Sequence, residues 1–311
     1  MSRKVEFDPK HWGIKSRNNQ EYGYASVWYN LETFRVRASN PLPPTEAEFY
    51  DVSLGRQCNM ECNFCYTDAK SGGRLYPDVV AKIRFLMNTI WKDPNKRPYQ
   101  VAIGSEGEPT IHPEFPQVLE TFWRNGIVPN YTTNGRLLAS GVGLDIMEYT
   151  KAYVGGVALS ANPYNPYWED AFRKLHDRCP NTKINLHLLA HDIQSADYIQ
   201  EIMNKYDGKV WTFVILPMIA QGRSKQDMTD ETYVKLVEVI SRAHNFCRSR
   251  VAVGARMYPW MTRPDCPSLK HVDIHEPEKF SKNLILDDPI RITPSSFDTN
   301  TNLWTCCFNQ C

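Results

Sequence analysis

From Glu48 onward the chain alternates between two hydrophobic rhythms. Short apolar or alternating runs are each followed by a longer run whose apolar positions recur every three to four residues. EFYDVSL is the first strand-like run. PDVVAKIRFLMNTIW follows as a predicted helix, with Pro77 at its first turn and Val79, Val80, Ile83, Met87 and Ile90 on one face. QVAIG is the second strand. HPEFPQVLETFWRNG is the second helix, with Phe115, Val118, Leu119 and Phe122 inward and Gly126 as its stop. IVPNYTT, YVGGVALS, TKINLHLLA and KVWTFVILPM continue as strands three to six. LDIMEYTK, NPYWEDAFRKLHD, SADYIQEIMNKY and TDETYVKLVEVISRAHNF are the helices that follow them. Strands alternating with helices imply an α/β fold with a parallel sheet and right-handed crossovers. Six such units that close only partly make an open barrel. A Rossmann sheet is the competing arrangement, but no GxGxxG follows the first strand.

The two ends break this rhythm. In residues 1–45, YASVWYN and TFRVRA are predicted to pair as a hairpin with LE near the turn, and NPLPPTE (40–46) reads as a stiff linker. From about Arg250, VAVGARMYP is a candidate for one more strand. RITPSSFD and NLWTCCF then form a predicted hairpin around TNT, with cysteines at its end. The expected division is an N-terminal hairpin segment (1–45), a barrel (46–248) and a C-terminal cysteine-containing extension (249–311).

The 311 residues are 42% apolar and 23% charged, an ordinary globular balance that permits a large buried core. A net charge of +1 gives no strong nucleic-acid signal, and FRVR (34–37) and CRSR (247–250) are short enough to be solvated surface. No apolar run reaches the length of a membrane span. MSRKVEFDPKHWG has no apolar signal core, so a cytoplasmic location is expected. Nine cysteines, an odd number, fit a reducing compartment in which thiols are free, catalytic or metal-bound.

Three of them stand in CNMECNFCY (58–66). Cys58, Cys62 and Cys65 fall on one face if the segment is helical, but Gly55, Asn59 and Asn63 are poor helix residues and a strand runs straight into the segment. A structural zinc site is a second reading, although zinc usually takes four ligands in paired clusters. A cubane [4Fe–4S] cluster suits three thiolates best. It leaves one iron open for the amine and carboxylate of a small molecule.

C-x-x-x-C-x-x-C followed by an aromatic resembles the radical S-adenosylmethionine (radical SAM) superfamily, whose loop follows the first strand of a partial (β/α)6 TIM barrel. Further segments match in order. SEGEPT (105–110) resembles the Gly-Gly-Glu-Pro segment that holds the methionyl amine of SAM: Gly107, Glu108 and Pro109 match, and Glu106 departs from the first glycine. TTNG (132–135) resembles the Thr-Asn-Gly turn, with Asn134. Ser160 stands where a polar residue touches the SAM ribose or carboxylate. In LPMIAQGRS, Gly222 and Arg223 match a Pro…Gly-Arg pattern, and Arg223 is expected to pair with the SAM carboxylate or substrate, or to lie at the surface. Tyr66 is expected beside the adenine, through its backbone. Alternation in TKINLHLLA puts Asn185 and His187 on one face. If that face is interior, His187 reaches SAM or substrate; otherwise it is a satisfied buried histidine.

The resemblance spans residues 48–225. It implies that a reduced cluster passes one electron into the SAM sulfonium, giving methionine and a 5′-deoxyadenosyl radical that removes a hydrogen atom from a substrate. An electron donor such as flavodoxin or ferredoxin is the implied partner. At the C-terminus, FDTNTNLWTCC resembles part of a SPASM or twitch-like module. Cys266, Cys306, Cys307 and Cys311 are then candidate ligands of a second iron–sulfur cluster, against free or substrate-handling thiols. Thr301 or Asn302 stands where that module carries glycine. Cys179 and Cys247 are expected to be buried structural thiols. The extension favours a peptide or protein substrate, as in ribosomal-peptide maturation, although 45 N-terminal residues are short for a winged-helix leader-binding domain. Modification of a nucleoside or small metabolite is the alternative. A non-catalytic iron–sulfur or zinc-binding protein is a reading from another class, with no use for Gly107–Pro109, Asn134 or Ser160.

Overall fold

The computed structural model describes residues 49–254, except 95, 96, 99 and 226, and the backbone of six strands outside that range. Three of these, β1 (Lys15–Asn19), β2 (Tyr24–Tyr29) and β3 (Glu32–Arg37), form a separate antiparallel sheet in the order β1-β2-β3. The β2–β3 hairpin is the expected one and closes at Tyr29↔Glu32. Strand β1, KSRNN, carries no apolar alternation to announce it.

Seven parallel strands follow: β4 (Phe49–Val52), β5 (Gln100–Ile103), β6 (Val128–Thr133), β7 (Gly156–Ser160), β8 (Lys183–Ala190), β9 (Thr212–Pro217) and β10 (Arg250–Val253). They lie side by side in chain order and curl into a half-barrel. Helices connect each pair: α1 (Val79–Asn88), α2 (Phe115–Arg124), α3 (Arg136–Ala139) with α4 (Leu144–Tyr153), α5 (Trp168–Arg178), α6 (Ile193–Tyr206) and α7 (Asp230–Phe246). The six expected units are present, and β10 is the additional strand, reaching past residue 248.

The other edge of this sheet is covered from the C-terminal side. Strand β11 (Leu284–Ile285) pairs with β12 (Arg291–Asp298), which runs antiparallel to β4 from Ile292↔Val52 to Ser295↔Phe49. Strand β13 (Leu303–Thr305) completes the expected hairpin with β12. The extension therefore continues the barrel's sheet, which leaves β4 no open edge. Cys266, Cys306, Cys307 and Cys311 lie outside the described residues.

Burial explains the layering. On β8, Ile184, Leu186, Leu188 and Ala190 are buried beneath the helices, whereas Lys183, Asn185, His187 and Leu189 alternate onto the more open concave side. Phe115, Val118, Leu119 and Phe122 of α2 are fully buried, as its periodicity predicts, and each such side chain contributes about 1.5–3 kcal/mol. Helix α1 differs in one position. It ends at Asn88, where the Thr89 hydroxyl turns back to the Phe85 carbonyl at 2.7 Å. Ile90 leaves the helical phase and is 47% exposed, while Leu86 and Trp91 fill the core. Cys179 is fully buried, but Cys247, at the end of α7, is only partly so. Among the described residues no helix is long and apolar enough to cross a membrane.

Candidate functional site

Strand β4 delivers the chain to the mouth of the half-barrel, where the cysteine segment forms an irregular loop rather than a helix. Its two stems are laced by backbone bonds: Arg56 N–H to the Arg74 carbonyl (2.8 Å), Cys58 N–H to Lys70 (3.0 Å) and Tyr76 N–H to Leu54 (3.0 Å). Gly55 adopts φ 142°, and a Cβ there would sit 2.5 Å from the Arg74 oxygen, so only glycine serves. The three thiols are partly buried. The Cys58 sulfur accepts from Met60 N–H at 3.4 Å and from the Asn134 side-chain amide at 3.8 Å, and the Cys65 sulfur lies 3.3 Å from the Thr67 hydroxyl. Burial first, then neighbouring negative charge, pushes the Cys58 thiol up to about 11 and raises Cys62 as well. Cys58 and Cys62 are therefore protonated in the metal-free chain, and a metal that binds them displaces those protons. Among the described residues no group of three or more Cys, His, Asp or Glu side chains stands close enough to hold one metal ion.

Later strand ends hold this loop. After β5, Glu106 accepts from Arg56 (3.1 Å) and from the Tyr76 hydroxyl (3.1 Å), one on each stem. Burial pushes this carboxyl up, but Ser53, Arg56 and Tyr76 outweigh it and hold it below the usual range. The Tyr66 hydroxyl donates to the Ser105 carbonyl (2.9 Å), and the Thr67 hydroxyl to Glu106 (2.8 Å). Gly107 permits a close backbone approach. The cysteine loop makes that approach: a Cβ would lie 2.5 Å from the Gln57 oxygen and 2.6 Å from that of Gly55. Glu108 N–H donates to the same Gln57 carbonyl at 2.9 Å.

The Glu108 side chain is buried and turned into the protein. It accepts from Thr110 N–H (3.2 Å), the Thr110 hydroxyl (2.6 Å), the Thr133 hydroxyl (2.7 Å) and Asn134 N–H (2.8 Å). Burial raises its pKa, against the pull of those donors. The side chain thereby ties the ends of two strands together. Pro109 opens a short 3-10 turn, Pro109–Ile111.

At the end of β6, the Asn134 amide donates to the Asn59 side chain at 2.8 Å as well as toward Cys58, and Arg136 reaches the Asn59 carbonyl at 2.5 Å. Asn165, nearly fully buried, donates to both the Asn134 and Ser160 carbonyls at 2.8 Å. Ser160 ends β7 in register with His187 of β8. Both fall on the concave row, the interior face expected for His187. Burial brings the His187 imidazole down to about 4, so it is neutral at physiological pH. The Asn185 side-chain oxygen Oδ1 on the same face is buried without a hydrogen-bond partner. Phe64, Tyr164 and His191, from three different loops, pack in series with ring centroids 5.8 Å apart.

After β9, the Arg223 side chain lies against the cysteine loop. Its guanidinium is spent on the cysteine loop, at Cys62, Asp68 and Ala69. The structure thus brings together the cysteine loop, SEGEPT, Asn134 and Gly222–Arg223, and sets Ser160 and His187 on the adjoining wall. Sequence reasoning did not find Arg56, Arg136 or Asn165. Asn165 opens NPYWEDAFRKLHD, where it reads as the start of a helix, and Glu106 reads only as a departure from glycine.

No family model and no curated protein matches the chain. Solved structures of SuiB from Streptococcus suis do. The form bound to S-adenosylmethionine matches with a TM-score of 0.51 at 15% identity, over 67% of this chain and 51% of that one. The form bound to the precursor peptide SuiA matches with a TM-score of 0.52 at 16% identity, over 67% of this chain and 49% of that one. This chain spans about half the length of SuiB, and at such identity the likeness is one of fold. Seven parallel strands curled into a half-barrel, with a three-cysteine loop after the first, give the chain the fold of the radical SAM enzymes.

Proposed function

We propose that this protein is a radical SAM enzyme. Cys58, Cys62 and Cys65 would hold a [4Fe–4S] cluster through their thiolates, leaving it able to bind SAM. The observation that carries this reading is a loop of three partly buried thiols, tied to the ends of three other strands at the barrel mouth. The donor set fits the group: soft sulfur ligands suit iron–sulfur clusters, and hydrogen bonds to the sulfurs accompany such sites. When bound, the cluster supplies the electron that cleaves SAM to methionine and a 5′-deoxyadenosyl radical.

The chain's own residues position and shield. The backbone edge Gly107–Pro109 and that of Tyr66 border the methionyl and adenine sides, and Ser160 and His187 offer neutral hydrogen-bonding groups from the wall. Asn134 acts at the Cys58 sulfur. The half-barrel's concave face receives the substrate and excludes water.

The substrate we favour is a peptide or protein. SuiB, of the same fold, has been captured with its precursor peptide, and this chain carries a cysteine-bearing extension whose Cys266, Cys306, Cys307 and Cys311 are candidate ligands of a second cluster. Flavodoxin or ferredoxin is the proposed electron donor. The test uses substrates deuterated at carbon. A mass increase in 5′-deoxyadenosine with labelled peptide supports the assignment. The same increase with labelled nucleosides and none with peptides overturns it.

A further inference from the structure

Arg223 and the cysteine loop come from opposite parts of the arc. The loop follows β4, the first parallel strand, and Arg223 follows β9, the sixth, with four strands between them. Four hydrogen bonds nevertheless join them. Arg223 N–H donates to the Cys65 carbonyl (2.9 Å), Nε to the Cys62 carbonyl (2.8 Å), Nη2 to the Ala69 carbonyl (2.7 Å) and Nη1 to the Asp68 carboxylate (2.9 Å). Two of these acceptors belong to the cysteines themselves. Because the peptide is planar, fixing the carbonyls of Cys62 and Cys65 restricts the directions in which their side chains leave the backbone.

Two local features support the contact. Gly222 has φ 62°, and a Cβ there would meet the Cys65 and Tyr66 oxygens at 2.5 Å, so the approach needs glycine. Asp68 is held at φ 55°, a left-handed conformation uncommon for a residue with a side chain, and its carboxylate is the one Arg223 grips. The planar guanidinium supplies donors to three separate acceptors from a side chain 25% exposed. A lysine has one ammonium and cannot span them.

We propose that Arg223 is the positioning residue of the cysteine loop: it pins residues 62–69 across the barrel mouth in the metal-free chain, so that the segment carrying Cys62 and Cys65 is in place before a cluster arrives. This rests on the reading of Cys58, Cys62 and Cys65 as cluster ligands and adds a role that those ligands do not themselves fill.

The test compares wild type with Arg223→Lys and Arg223→Gln, all free of metal, by amide hydrogen exchange read on peptides covering 58–70. Exchange in the variants is expected to rise at least about tenfold, equivalent to ~1.4 kcal/mol, while peptides from β6 to β8 keep wild-type protection. After anaerobic loading with iron and sulfide, the variants are expected to give a broadened reduced-cluster electron paramagnetic resonance signal. Should either variant fail to fold, Gly222→Ala displaces the same segment and is expected to reproduce both effects. Unchanged exchange across 58–70 in folded variants overturns the proposal. If the wild type takes up no cluster, the cluster reading fails, and the exchange comparison still decides whether Arg223 holds the loop.

Discussion

The buried carboxylate of Glu108 accepts a 2.7 Å hydrogen bond from the Thr133 hydroxyl, joining the end of β5 to the end of β6. Asn134 N–H binds the other oxygen, so the residue beside the Cys58 sulfur inherits its place from this carboxylate. All four partners of Glu108 act as donors. In Glu108→Gln the amide nitrogen must face one of them. The substitution is expected to cost about 1–3 kcal/mol, seen as a lower urea midpoint at unchanged slope. An unchanged midpoint contradicts the tie.

Asn134 donates toward Cys58, and such a bond favours the more negative, reduced cluster. Asn134→Ala is expected to make the cluster's midpoint potential more negative, measured by a redox titration followed by electron paramagnetic resonance. Equal potentials in wild type and variant remove Asn134 from the sulfur's surroundings.

His187 sets an acid limit. Its folded pKa, about 4, lies below the unfolded 6.5 because the imidazole is buried. Between these values the unfolded chain binds more protons, so stability falls as pH drops through 6.5 and the loss is complete below 4. The full loss from this group is about 3 kcal/mol at 1.36 kcal/mol per unit. Urea unfolding of the metal-free chain at pH 7 and pH 4.5 is expected to show a steeper decline for wild type than for His187→Gln. Parallel declines contradict a buried neutral imidazole.

Periodicity made the strands and helices of the barrel legible because each strand buries an apolar face beneath an amphipathic helix. The alternation that set Asn185 and His187 on one face of β8 is visible in TKINLHLLA. Motif order placed the site, since Cys58, Gly107, Asn134 and Ser160 fall at successive strand ends. The partners of those residues were not legible. Arg223 reaching Cys62, Glu106 gripping Arg56 and Tyr76, and Asn165 bridging Asn134 and Ser160 join residues far apart in the chain, and no spacing rule encodes such contacts. Pairing of β12 with β4 was hidden for the same reason. Ile90 misled because a periodic run does not reveal where Thr89 ends the helix.

The central claim is that CNMECNFCY is a catalytic loop. The direct measurement is 5′-deoxyadenosine formed from SAM and dithionite after anaerobic reconstitution with iron and sulfide, on wild type and on the Cys58/Cys62/Cys65→Ala triple variant, with iron counted in both. The account predicts deoxyadenosine from the wild type and none from the variant, and any iron the variant retains belongs to a second cluster. A wild type that binds a cluster yet never cleaves SAM contradicts the account and makes the chain a binding protein.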